Sequence, residues 1–364
     1  MNVKQKKVIV MNKILVSILV ALYFQACVSA HEKVLLDEPT IDKRVELLSI
    51  VFRLAGSPEY SLNEFKPYVN RIDQYFDKYK THELIQFTKS IISEYEIAYD
   101  GPMWLATHLD DNLKLLADVK DVWQQDPRWT KESVEKYVPL LQEFYKDTKF
   151  DVFFKDNTDL YNEAIKRFAS IGEQIDLNWG YSFFGKEPAE LFFYKIGLGI
   201  SGNCFGTNVD FTDGSRKVYA IMGVWTVDNT GFPVFSIMPN LPVLIHEYSH
   251  PFVDKLTEKN KAAFRDSGEK IFSVVNSEAY TSWEVILDEA LINAAVAKYM
   301  KDHAFGQSEI ESWIRWIKTG FGFFWIENLV DELEKYDKQR DQYPTLESFM
   351  PRLAEAYSIW TENI

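Results

Sequence analysis

The sequence predicts an α+β protein, predominantly helical, in which a small and mainly antiparallel sheet precedes a helix carrying paired histidines. Three observations predict it. Between residues 40 and 180, apolar residues recur at helical spacing, broken at Gly56-Ser57-Pro58, Asp100-Gly101-Pro102 and Asp126-Pro127. Between 191 and 222 the spacing shortens to that of strands. From Pro239 onward long apolar-faced runs return, and the first contains His246-Glu247-Tyr248-Ser249-His250. Three regions result: 1–30 as an export signal, 31–180 as a helical N-terminal region, and 181–364 as the part holding the paired histidines with a helical C-terminal lobe.

Taken in chain order, Lys4, Lys6, Lys7 and Lys13 precede the apolar run Ile14–Phe24, a positive segment followed by a stretch too short to span a bilayer comfortably. This predicts export to the periplasm or cell surface. Processing has two readings. Val28-Ser29-Ala30 suits cleavage before His31, whereas Phe24-Gln25-Ala26-Cys27 is an imperfect lipobox that makes Cys27 a lipidated N-terminus. A lipid on Cys27 is the only membrane contact predicted. Removing the four lysines of residues 1–30, which hold no acidic residue, takes the net charge from −14 to −18, so nucleic acid is not an expected partner. Cys27 and Cys204 are the two cysteines, which rules out a disulfide framework and leaves stability to a core drawn from 46% hydrophobic and 15% aromatic residues. Cys204 itself reads as a buried structural thiol, because no further histidine-containing motif supports a nucleophile there.

Helices such as Val45–Leu54 fill the first half. Leu191–Leu198, Thr207–Thr212 and Lys217–Met222 read as strands, the last two joined by a turn at Asp213-Gly214. Phe232–Met238 reads as one more short buried strand and Pro239-Asn240 as a turn. Leu241–Ile245 then opens a helix with proline in its first turn. After the helix with the paired histidines, Ser277–Met300 is helical in length and apolar nearly all round in its second half, so it is predicted to be buried. Ser308–Glu311 is a capping box, and Asp331–Lys338 and Leu346–Trp360 continue helical. The aromatic stretch Trp179–Tyr194 reads mainly as core.

His246 and His250 lie four apart, so on a helix they share one face and both imidazoles can reach one Zn²⁺, with Glu247 beside the metal's water. Pro251 follows at once and predicts a kink or loosening at His250. Catalytic zinc normally takes three protein ligands. His31, His82, His108 and His303 are scattered, so the third ligand is expected to be a carboxylate of the next buried helix, where zinc would supply the counter-charge that burial demands. Glu289 is the first choice, with Glu284 and then Asp288 as alternatives. Tyr280 and Tyr299, near that helix, are candidates for stabilising an oxyanion.

His246-Glu-Tyr-Ser-His-Pro-Phe-Val-Asp254 resembles the HExxHxxxD helix of thermolysin-like metallopeptidases, the gluzincins. Glu289-Ala-Leu-Ile-Asn293 resembles their ExxxD element, with Asn in place of the last Asp and a longer spacing than in thermolysin. The chain also resembles bacterial secreted proteins described as domains of unknown function that carry HExxH after a short sheet. The resemblance covers residues 190–300. It implies a zincin-like catalytic region with Glu289 on zinc and with Asn293 and Asp254 holding the ligating rings. An Asn accepts a hydrogen bond from an imidazole N–H but raises its basicity less than Asp.

The expected function is zinc-dependent hydrolysis, most readily of a peptide bond in a peptide or protein substrate, with Glu247 as general base. A sheet edge beside the motif would let an extended peptide lie down by strand addition. The alternative is a non-catalytic surface lipoprotein that binds glycans or peptides and keeps a vestigial metal site.

Overall fold

The twelve-residue strand Glu190–Ser201, β1, ends against the tight link Gly202-Asn203. In this computed structural model, which describes residues 38–186, 190–253, 256–275, 280 and 282–364, that link decides the sheet. β1 runs parallel to β3 (Arg216–Val224), the link crosses the end of β3, and β2 (Cys204–Asp210) returns antiparallel on the other side, giving the order β1-β3-β2. The crossing is close. A Cβ on Gly223 would lie 2.4 Å from the Asn203 carbonyl oxygen, so only glycine lets Gly223 N donate to Asn203 O. The sheet is therefore mixed rather than mainly antiparallel: the expected hairpin at Asp213-Gly214 is present, but β3 has inserted between β1 and β2.

Helices dominate the rest, as their periodicity predicts. In the first half these are α1 (Lys43–Ala55), α2 (Lys66–Phe76), α3 (Glu83–Tyr95), α4 (Gly101–His108), α5 (Lys131–Asp147), α6 (Thr158–Gly172) and α7 (Leu177–Phe184). Asp42 caps α1 by accepting from Arg44 N, and Gly56 closes it in the left-handed region. α1 packs on β1 and α4 on β2, so the helices before the sheet are built into the same core as the sheet itself. Trp179, Phe183 and Phe184 of α7 stack among themselves and on Phe252, Tyr299 and Tyr336, the core role expected of that aromatic stretch.

After the sheet, Phe232–Met238 forms no strand. Pro233 and Pro239 supply no N–H, and the Asp228 carboxylate accepts from Thr230 N and Phe232 N, which curls the segment into a turn bridged only at Val227 and Pro233. α8 (Ile237–Val253) carries the paired histidines; its one non-helical residue is Met238, so the regular helix starts at Pro239 with Pro242 in the first turn. Pro251 produces no break at His250. It stands in the last turn, so it removes only the one N–H that would reach the Glu247 carbonyl, and Lys186 Nζ donates to the proline's own carbonyl at 3.1 Å. α9 (Lys261–Val274), α10 (Trp283–Asp302), α11 (Gln307–Gly320), α12 (Ile326–Lys338) and α13 (Leu346–Trp360) follow. α10 is the buried hub, touching α8, α9, α11 and α12, which accounts for its apolar residues on every side. α11 starts two residues earlier than the Ser308 box predicts, with Glu309 accepting from Gly306 N at 2.8 Å. No described helix is long and apolar enough to cross a membrane. The export segment, Cys27 and Asp254 lie outside the described residues.

Candidate metal centre

α8 and α10 cross so that three side chains converge. His246 Nε2 lies 3.5 Å from Glu289 Oε2 and His250 Nε2 lies 3.9 Å from Glu289 Oε1. The two imidazole centroids are 5.0 Å apart and nearly perpendicular. One potential ligand atom from each of the three residues falls within 4.8 Å of the others. Two bonds of 2.0–2.2 Å at the tetrahedral angle place zinc's donor atoms roughly 3.3 Å apart, so this triad is close to the size of a zinc site before any ion draws it together. Two neutral nitrogens and one carboxylate also suit zinc chemically.

The other two carboxylates of α10 are engaged elsewhere. Glu284 pairs with Lys261 Nζ at 2.5 Å, and Asp288 accepts from Thr257 Oγ1 at 2.5 Å and Thr257 N at 3.3 Å, closing the start of a short helical turn at Leu256–Lys259. Asn293, one turn beyond Glu289, donates from Nδ2 to the Glu289 carbonyl at 2.8 Å and hydrogen-bonds the His246 imidazole. Tyr299 is not near the site: its hydroxyl accepts from Asp176 N and donates to Gln174 O, and its ring stacks on His303. Tyr280 is close enough for the Glu289 charge to raise its pKa further, though burial does most of that, and its ring packs beside Phe321 and Phe323.

Burial governs the electrostatics of the cluster. It holds the His246 imidazole down to about 3, with the neighbouring His250 adding to the effect, so the ring is neutral and its lone pair free for a metal at ordinary pH. It also pushes the Glu247 carboxyl up to about 7, where Glu289 and Asp100 raise it further and His250 opposes them. Glu247 is 9% exposed, and what it faces is a cavity of about 960 Å³.

The cavity separates into two walls. On one side stand β2 and its surroundings, with Asn203, Cys204, Gly206 and Asn208 and, beyond them, Asp100. On the other stand Trp313, Trp316 and Phe321 from α11 and its end, behind Glu289 and Asn293. Trp313 is buried and fixed by its Nε1 donating to Asn293 O at 3.2 Å, while Trp316 lines the cavity half exposed. Arg216, the cavity's one arginine among the described residues, is already paired with Asp210. None of these wall residues follows from the sequence pattern. Asp100 reads there only as part of a helix break and Cys204 only as core; the one available signal was the pair of glycines, Gly202 and Gly206, around Cys204 in a predicted sheet region.

Residues 39–356 match the family described as a domain of unknown function (DUF4932), and the chain belongs to that family. No curated protein and no solved structure matches it.

Proposed function

We propose that this DUF4932 protein is an exported zinc-dependent hydrolase of peptide bonds with a zincin-like catalytic region, using His246, His250 and Glu289 as ligands and Glu247 as general base. The observation that carries the reading is the convergence of those three ligand atoms at the floor of a large cleft, with the Glu247 carboxylate facing the same space. Zinc held there would supply a water of pKa near 7 and a Lewis-acid contact for a carbonyl. Glu247 takes a proton at a carboxylate oxygen and returns it to the departing amine nitrogen. Asn293 holds the His246 ring in place. The apolar sides of α8 and α11 keep stray water from the reacting carbonyl.

β2 supplies the reason for a peptide. Asn203 O accepts from Gly223 N, which fixes the alternation along the strand, so Cys204, Gly206 and Asn208 direct their backbone N–H and C=O groups away from β3. At Asp210 those outward groups are taken by Lys120 N and the Gln125 side chain. From Cys204 to Asn208 no described residue takes them, and that edge borders the cavity. An extended substrate adding to this edge would lie directly over Glu247 and the triad. The test is elemental analysis and peptide hydrolysis on the purified mature protein. One zinc per chain and peptide cleavage that vanishes in His246→Ala are expected; a metal-free native protein without hydrolytic activity refutes the reading and favours a peptide or glycan binder.

A further inference from the structure

Helix α8 carries Glu247 but does not by itself determine where its carboxylate points, because a glutamate has three rotatable bonds and a cavity in front of it. Two residues of β2 close off the alternatives. Cys204 and Gly206 are two apart on a strand, so they share the face that looks at α8, while Phe205 between them is buried on the other face against Tyr60. A Cβ on Gly206 would lie 2.2 Å from Glu247 Oε2, inside any allowed contact. The carboxylate therefore rests in the space that a side chain at position 206 would take. The Cys204 thiol has a single proton and two acceptors in reach, the Met222 sulfur at 3.1 Å, directly opposite it across the ladder, and the Glu247 carboxylate. A carboxylate is a much stronger acceptor than a thioether, so Glu247 competes with Met222 for the S–H proton.

We propose that β2 aims the base: the Cys204 thiol and the side-chain-free Gly206 together hold the Glu247 carboxylate toward the cavity, making Cys204 a positioning residue for proton transfer. The clamp gives the unpaired edge of β2 a second role. The strand proposed to receive the substrate backbone also carries the contacts that orient the base, so a substrate seated on it is registered against Glu247 through one rigid element. The role in catalysis rests on the hydrolytic reading above; the clamp itself does not.

The experiment pairs kinetics with vibrational spectroscopy on the mature, zinc-loaded protein. Cys204→Ala is expected to lower kcat about tenfold, the scale on which partners of catalytic groups act, with KM, zinc stoichiometry and melting temperature unchanged. Cys204→Ser, which restores a donor of similar size, should recover kcat to within about threefold of wild type. Gly206→Ala should lower kcat further, since its methyl displaces Oε2. The infrared S–H stretch of Cys204, identified by its loss in Cys204→Ser, should move to higher wavenumber in Glu247→Gln, because an amide oxygen is the weaker acceptor. An S–H band indifferent to Glu247→Gln overturns the clamp whether or not the protein cleaves peptides. A wild type without hydrolysis sinks only the hydrolytic reading, and the S–H band then decides the clamp alone. Full kcat in Cys204→Ala alongside active wild type overturns the positioning role and leaves the hydrolase standing.

Discussion

Two glutamates in this molecule are pushed by burial to the same acidity and put it to different uses. Glu46 on α1 and Glu247 on α8 are both raised to about 7, with desolvation the largest cause in each. Glu46 is wholly enclosed, and its two oxygens accept from Leu198 N at 2.6 Å and Gly199 N at 3.2 Å at an irregularity near the end of β1, with Tyr68 completing the set. It ties the first helix to the sheet by satisfying amides that the distorted strand leaves unpaired. Glu247 has a thiol and a glycine for neighbours and open space ahead. A perturbed carboxyl is thus a functional candidate only where something can reach it. The partners and the cavity separate the two residues, and the size of the shift does not.

The largest effect that tests this contrast is on rate. Glu247→Gln should keep zinc and fold while lowering peptide hydrolysis by about 10²–10⁴-fold, since the amide has the shape of the acid and cannot take the proton. Zinc titration and a peptide assay on one preparation check both halves; undiminished turnover would falsify the base assignment. Next comes the metal. Glu289→Ala should weaken zinc binding by more than the roughly 10–100-fold that loss of an outer partner such as Asn293 costs, whereas Glu284→Ala and Asp288→Ala should leave it intact because their carboxylates serve Lys261 and Thr257. Competition against a chromogenic chelator ranks the three variants, and tight zinc in Glu289→Ala would reassign the third ligand.

Glu46 should respond in stability. Glu46→Leu strands two buried amides and is expected to cost about 2–4 kcal/mol by urea unfolding, with little change in zinc affinity. The pH dependence has a definite sign. Its folded value of about 7 lies above the 4.5 of an ordinary glutamate, so the fold favours the protonated form. The stability this contributes is fully present below about pH 4.5 and is lost as pH rises through about 7. The stability difference between wild type and Glu46→Gln should therefore shift against the wild type by up to about 3 kcal/mol between pH 4.5 and 8. A difference independent of pH would show that Glu46 is not held protonated. The smallest effect belongs to the aromatic wall: Trp316→Ala, at a half-exposed position, should raise KM for peptides bearing a large apolar residue by about fivefold and leave kcat alone.

The paired histidines and their glutamate were legible in the sequence because one helical turn is a local object: residues four apart share a face whatever the rest of the chain does. The same local physics made the helical first half, the β2–β3 turn and the buried character of α10 readable. Pro251 shows its limit. The local rule predicts disruption at His250, but a proline in the last turn costs the helix a single hydrogen bond and leaves no further turns for it to deflect.

Which carboxylate of α10 meets the two histidines depends on rotation about α10. Asp288 is turned about 100° from Glu289 and Glu284 about 140°, so the three carboxylates of one apolar run point to three different neighbours. Composition and burial make all three plausible, and only the packing of α10 against α8 chooses Glu289. Asn293, a full turn on, follows that choice automatically. The sheet order lay even further from the sequence, because strand patterning carries no record of which neighbour a strand takes. The insertion of β3 between β1 and β2 turned an outer edge toward the cleft and laid Cys204 and Gly206 over Glu247. Local periodicity could place the histidines on a helix, but contacts between residues some forty positions apart in the chain were needed to set the Glu247 carboxylate against β2.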